Sequence, residues 1–199
     1  HSARSSDSPP LLARNSGSHN NLFLSHTWEK DLRGRCTHDR ARSLKQALTS
    51  FGWKLWFDED KLLLGSNIDS KMASGIKNAD AVCICVTRAY IERINQQNNN
   101  CAKEWNFAQA IGKRILPLIF EEEMLDIKAW PTGIMSMYMT NTFYIDCSGD
   151  DTQAIAEKLS KMLFLLGLKP RLSPSWSWPL PVVRKRSSKL TRCRSTVRI

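Results

Sequence analysis

Residues 81–87 (AVCICVT) form an unbroken apolar run, partly β-branched and without the polar alternation of a half-exposed strand. Such a run needs cover on both faces, which is the position of an interior strand in a parallel sheet with helices above and below. The rest of the chain supplies the partners. Strand patterns recur at 22–24 (LFL), 53–57 (WKLWF), 114–120 (RILPLIF) and 142–147 (TFYIDC). Helical patterns lie between them. One covers about 35–51, with Leu44, Ala47, Leu48 and Phe51 at i, i+3, i+4 and i+7, and Gly52 stands where a helix C′ glycine belongs. A second carries Ile68, Met72 and Ile76 on one face. A third region runs over 88–94 and resumes at 101–112, and a last helix spans 151–167. Pro117 predicts an edge position or a bulge for the fourth strand. Residues 121–141 show little periodicity.

Strands alternating with helices over short connections predict an α/β fold: a flavodoxin-like five-stranded parallel sheet, order 2-1-3-4-5, with helices on both faces. In such sheets ligands bind beyond the carboxyl ends of the strands where the order reverses. Here that point lies between the first strand, ending at Ser25-His26, and the third, ending at Thr87. The domain spans 21–170. Residues 1–20, rich in Ser with a Pro-Pro pair, read as a disordered leader, and 171–199 as a basic tail punctuated by Pro and Trp.

The net charge of +10 first suggests nucleic acid or an anionic membrane. It is not evenly spread. The tail holds eight Lys/Arg and no acid, and 21–170 holds 19 basic and 18 acidic residues. A nucleic-acid-binding domain carries its charge on the folded face, so that class is excluded. The tail, with Trp176 and Trp178, keeps two readings: contact with an anionic leaflet, or a solvated segment.

Six cysteines are scattered without a Cys-x-x-Cys pair, and reduced buried thiols suit a reducing cytosol. Cys36, His38 and Cys101 lack the spacing of paired metal ligands, so no metal site is expected. Neither a Gly-x-Ser-x-Gly elbow nor a phosphate-cradling Gly-x-x-x-x-Gly-Lys occurs.

Three boxes stand in a recognisable order: Leu22-Phe23-Leu24-Ser25-His26; Trp56-Phe57-Asp58-Glu59-Asp60 followed by Gly65 and Ile68; and Asn100-Cys101-Ala102-Lys103-Glu104 ahead of Ile115-Leu116-Pro117-Leu118-Ile119. Over about 21–168 they resemble the TIR (Toll/interleukin-1 receptor) domains. The resemblance implies a cytoplasmic signalling module of innate immunity that associates with itself and with other TIR domains. It also implies NAD+ as a substrate, with no cofactor. In the NAD-cleaving members a glutamate on the third helix is catalytic, and Glu104 occupies that place.

The chemistry of one carboxylate fits that implication. Nicotinamide leaves NAD+ as a neutral group and needs no general acid, unlike the alkoxide of a two-carboxylate glycosidase. One anion in a dry crevice can position the ribose and stabilise an oxocarbenium-like centre. The competing reading is structural: an acid in the first turn of a helix gains about 0.3–1 kcal/mol from the macrodipole. Asn100 stands where NAD-cleaving relatives often have an aromatic residue. Ser25, His26, Thr27 and Trp28 leave the first strand at the predicted crevice, where a hydroxyl and free amides suit a phosphate and Trp28 suits a stacked base. An ST-turn with Trp28 covering the sheet end accounts for the same residues. The acid that many relatives carry ahead of the first strand is replaced by Asn20 and Asn21. Leu62, Leu63 and Leu64 before Gly65 form an apolar triplet in the loop through which TIR domains meet; exposed, it marks an interaction surface, and folded under, a local core. Two functions therefore stand: a self-assembling NAD+ glycohydrolase releasing nicotinamide and ADP-ribose or its cyclic form, and a non-catalytic scaffold recruiting other TIR proteins. A phospho-accepting receiver would need an acid at the end of strand one or three, and Ser25 and Thr87 stand there.

Overall fold

A computed structural model describes residues 20–58, 68–139 and 142–171. Residues 1–19, the loop with Leu62, Leu63, Leu64 and Gly65, and the basic tail beyond Arg171 lie outside the described residues. The elements are β1 (Asn20–Ser25), α1 (Thr37–Ser50), β2 (Leu55–Trp56), α2 (Ile68–Lys77), β3 (Ala79–Val86), α3 (Arg88–Asn95), α4 (Asn100–Ala110), β4 (Ile115–Ile119), α5 (Ile134–Met139), β5 (Ile145–Asp146) and α6 (Thr152–Leu165). All strand pairs are parallel and the order is β2-β1-β3-β4-β5, as expected.

The pleat divides the apolar run of β3 between two cores. Ala81, Cys83 and Cys85 face Leu44 and Leu48 of α1 and Leu159 and Leu163 of α6. Val82, Ile84 and Val86 face Ile76 of α2, Ile91 of α3 and Trp105 of α4. Both sides of β3 are therefore dry, which is why its sequence lacks alternation.

Gly52, at φ +85°, ends α1: its N–H donates to Thr49 O (2.9 Å) and that of Trp53 to Leu48 O (3.1 Å). This is a Schellman cap, and it uses up the residues expected to begin the second strand. β2 is accordingly shorter than the sequence predicts; β5 is shorter too, and both are edges, where short strands resist unwanted pairing.

Pro117 is not at an edge. β4 lies between β3 and β5. Phe120 N donates to Val86 O (2.9 Å) while Ile119 O accepts from Cys147 N (2.8 Å), so even-numbered residues of β4 bond to β3 and odd-numbered ones face β5. The missing N–H of Pro117 thus points toward β5, whose pairing begins only opposite Leu118. No ladder bond is lost. The weakly periodic stretch folds as two short 3-10 turns, Glu122–Leu125 and Ile127–Ala129, followed by α5.

Candidate active site

Thr87 leaves β3 to cap α3, its Oγ1 accepting from Tyr90 N (3.1 Å). Glu121, just beyond β4, accepts from Arg88 N (2.8 Å), which fixes the same helix end. The polar run that interrupts the third helical region is a connector. Asn99 caps α4 through its Oδ1, which accepts from Ala102 N (3.0 Å), while its Nδ2 donates to Arg93 O and Gln96 O (2.6 and 2.7 Å). One side chain thus ties the end of α3 to the start of α4.

Because α4 begins at Asn100, Glu104 lies beyond its first turn, which contains no acid. The expected first-turn position is corrected, and with it the macrodipole as the reason for this residue. Glu104 is only 7% exposed. Its Oε2 accepts from Ser25 Oγ at 2.5 Å, and Ser25 Oγ lies 2.6 Å from Tyr90 Oη. A serine hydroxyl has one proton, and it is given to the carboxylate; Tyr90 therefore donates to Ser25. The chain Tyr90 to Ser25 to Glu104 holds the carboxylate in one orientation. Burial pushes the Tyr90 hydroxyl well above its ordinary pKa, aided by the nearby Cys101 and Glu104, with the Ser25 bond opposing. Tyr90 thus keeps the proton that the chain requires.

A cleft of about 300 Å³ opens at the predicted switch point. Glu104, Asn100, Cys101 and Asn99 form one wall, His26, Thr27, Trp28 and Glu29 another, and Asp58 and Arg93 complete the lining. Ser25 does not line it. The expectation that its hydroxyl holds a phosphate gives way to support of Glu104 from behind. Thr27 Oγ1 accepts from Glu29 N (3.2 Å), the ST-turn expected as the structural alternative.

His26 is buried and stacks on Phe57, with ring centroids 4.6 Å apart. Its Nε2 lies 2.7 Å from His38 Nδ1, and Arg42 Nη2 lies 2.7 Å from His38 Nε2. Arginine only donates, so in a neutral His38 the proton sits on Nδ1 and is given to His26. Trp28, 41% exposed, stacks on His38 at 3.7 Å. Of these rings, His26 and Trp28 line the cleft with Glu104. The absent acid ahead of β1 has a replacement: buried Asn21 donates to Lys169 O (2.7 Å) and accepts from Lys54 N and Arg171 N (both 3.1 Å), joining β1 to the approach to β2 and to the end of the domain.

Of the residues predicted for the site, His26, Thr27, Trp28, Asn100 and Glu104 meet around one cleft, and Ser25 sits behind it. Leu62, Leu63, Leu64 and Gly65 lie outside the described residues. Sequence reasoning missed Tyr90 and Arg93, and weighed His38 only as a metal ligand. Tyr90 left a signal: it shares a buried helix face with Ile91 and Ile94, and a buried tyrosine needs a partner for its hydroxyl.

A family model described as the TIR domain matches residues 22–163. A search of curated proteins returns no match. Among solved structures, the chain is similar to the TIR domain of the Toll-related receptor TRR-2 from Hydra magnipapillata, at 13% identity and TM-score 0.48, covering 72% of this chain and 96% of that one. It is similar also to a metazoan TIR-STING receptor from C. gigas, at 17% identity and TM-score 0.47, covering 77% of this chain and 43% of the receptor. The same receptor in complex with 2',3'-cGAMP gives 16% identity, TM-score 0.48 and coverage of 71% and 40%.

Proposed function

The chain belongs to the TIR domain family, and from that premise we propose that this signalling module cleaves NAD+ through Glu104 when it self-associates. One observation carries the catalytic part: a buried carboxylate, oriented by Ser25 and Tyr90, lines a cleft at the sheet's switch point. In that reading the fixed carboxylate holds the ribose and stabilises the cationic centre left as nicotinamide departs. Its orientation is set before substrate arrives, so little reorganisation is needed at the moment of reaction. Glu104 is only 7% exposed, and its charge counts for more there than it would in bulk water. Trp28 offers a ring face for nicotinamide or adenine.

Self-association is assigned to Leu62, Leu63, Leu64 and Gly65 on sequence grounds, and assembly that excludes water from the cleft would complete the site. No helix among the described residues is long and apolar enough to cross a membrane. A cytoplasmic setting and a role in innate immunity belong to the same proposal, as does contact of the basic tail with an anionic leaflet. The test is nicotinamide release from NAD+ by concentrated protein. Glu104→Gln is expected to lower turnover by at least about 100-fold. Equal turnover in both proteins removes Glu104 as the catalyst, and none in any assembled form removes the enzyme.

A second reading keeps the module and its assembly as a scaffold without catalysis. Asn100 favours it: this residue lines the cleft where a stacking aromatic would hold a nucleotide base.

A further inference from the structure

Arg93 lies near the end of α3, on the lining of the cleft. Its guanidinium reaches Glu29 on the loop after β1, with Nε donating to Glu29 Oε1 at 2.7 Å and Nη2 to the same oxygen. The pair therefore spans the mouth of the cleft from two different elements. Both side chains are substantially solvated, at 46% and 35% exposure. An ion pair in that setting is weakly held, because water competes for both partners.

The charge balance of the lining gives the pair a meaning. Among the described lining residues, Glu29, Asp58 and Glu104 supply three carboxylates, and Arg93 the only guanidinium or ammonium group. A dinucleotide brings two negative phosphates into this acidic surface. Bound without a cation, they would be repelled by all three carboxylates. A guanidinium fork matches phosphate oxygens as well as it matches a carboxylate, and through two donors at once.

We propose that Arg93 grips the pyrophosphate of the substrate, and that Glu29 occupies Arg93 until phosphate displaces it. Glu29 is then an internal competitor that mimics the ligand's anion, and Arg93 is a specificity residue that selects phosphorylated nucleotides. This rests on the reading of the cleft as an NAD+ site.

The experiment is calorimetric titration of ADP-ribose, the stable product, into wild type, Arg93→Gln and Glu29→Gln, alongside the KM for NAD+. Arg93→Gln is expected to weaken ADP-ribose binding about tenfold, the loss of one charge-assisted contact. Glu29→Gln is expected to tighten it by about two- to fivefold, since the competitor is gone. Both variants break the same ion pair, so a merely structural bridge would move both affinities in one direction. Such a common shift overturns the proposal, as does unchanged binding in Arg93→Gln. The two readings fail separately. Arg93-dependent binding without NAD+ cleavage removes the enzyme and keeps the anchor. Cleavage with an unchanged KM in Arg93→Gln keeps the enzyme and removes the anchor. No ADP-ribose binding by any of the three removes the anchor outright.

Discussion

Ser25 holds two partners on one oxygen, and removing that oxygen takes a bond from both. In Ser25→Ala the buried Tyr90 hydroxyl loses the Ser25 acceptor and Glu104 loses the Ser25 donor. The expected cost is about 1–3 kcal/mol of unfolding free energy in a urea titration. Tyr90→Phe leaves the Ser25–Glu104 bond in place and is expected to cost less, about 1 kcal/mol. The reverse order of the two losses would refute the direction of the chain. Ser25 was legible as a residue at the crevice, because strand ends at a switch point follow from topology. Its partner was not, because Tyr90 is 65 positions away and only folding makes them neighbours. His38 was hidden for a similar reason. In a one-dimensional pattern it is a polar residue at a helix start, and only the return of the loop after β1 sets His26 and Trp28 against it.

α1 holds the far edge of the sheet through one side chain. Arg40 stands four residues before Leu44, on the same side of the helix, and its Nη1 donates to Phe120 O (2.7 Å) and to Asp31 Oδ2 (3.1 Å). Its Nη2 donates to Cys147 O and Gly149 O (3.1 and 3.2 Å). The guanidinium thus gathers carbonyls at the carboxyl ends of β4 and β5, whose N–H partners have run out. Arg40→Met fits the aliphatic path but leaves these acceptors and the fully buried Asp31 carboxylate short of a donor, with Arg35 and the Arg33 N–H remaining on Asp31. The expected loss is about 3 kcal/mol in thermal or urea unfolding. A loss below about 1 kcal/mol would mean that water replaces the guanidinium there. Helices and strands themselves were legible from periodicity. The lengths of β2 and β5 were not, since they depend on where the neighbouring cap and partner strand begin.

For the whole molecule, the paired cores bury several weak acids, and this sets a pH dependence. Thiols ordinarily ionise near 9.0 and tyrosine near 10.0. Burial pushes Cys85 and Tyr90 well above those values and Cys147 to about 12, and it raises Cys83 as well. Above pH 9 the unfolded chain therefore loses protons that the folded chain keeps, and stability falls as pH rises. Well below pH 9, as at pH 7, this contribution is complete and flat. The measurement is urea unfolding at pH 7, 9 and 10, with a lower midpoint expected at each alkaline step; a midpoint independent of pH would mean these groups are reached by solvent. The same burial makes the thiols of Cys83, Cys85 and Cys147 poor nucleophiles.

The amino-acid sequence by itself determined the alternation of strands and helices and the order of the TIR-like boxes, from which the layered α/β architecture and the place of Glu104 were expected. These follow from local periodicity and from motif order, which are properties of neighbouring positions. The tertiary structure alone decided that Glu104 is held by Ser25 and Tyr90, that Arg93 faces Glu29 across the cleft, and that Arg40 binds the ends of two strands. Each of those contacts joins residues far apart in the chain, with geometry set by how helices seat on a twisted sheet, and no local pattern encodes a distance of that kind.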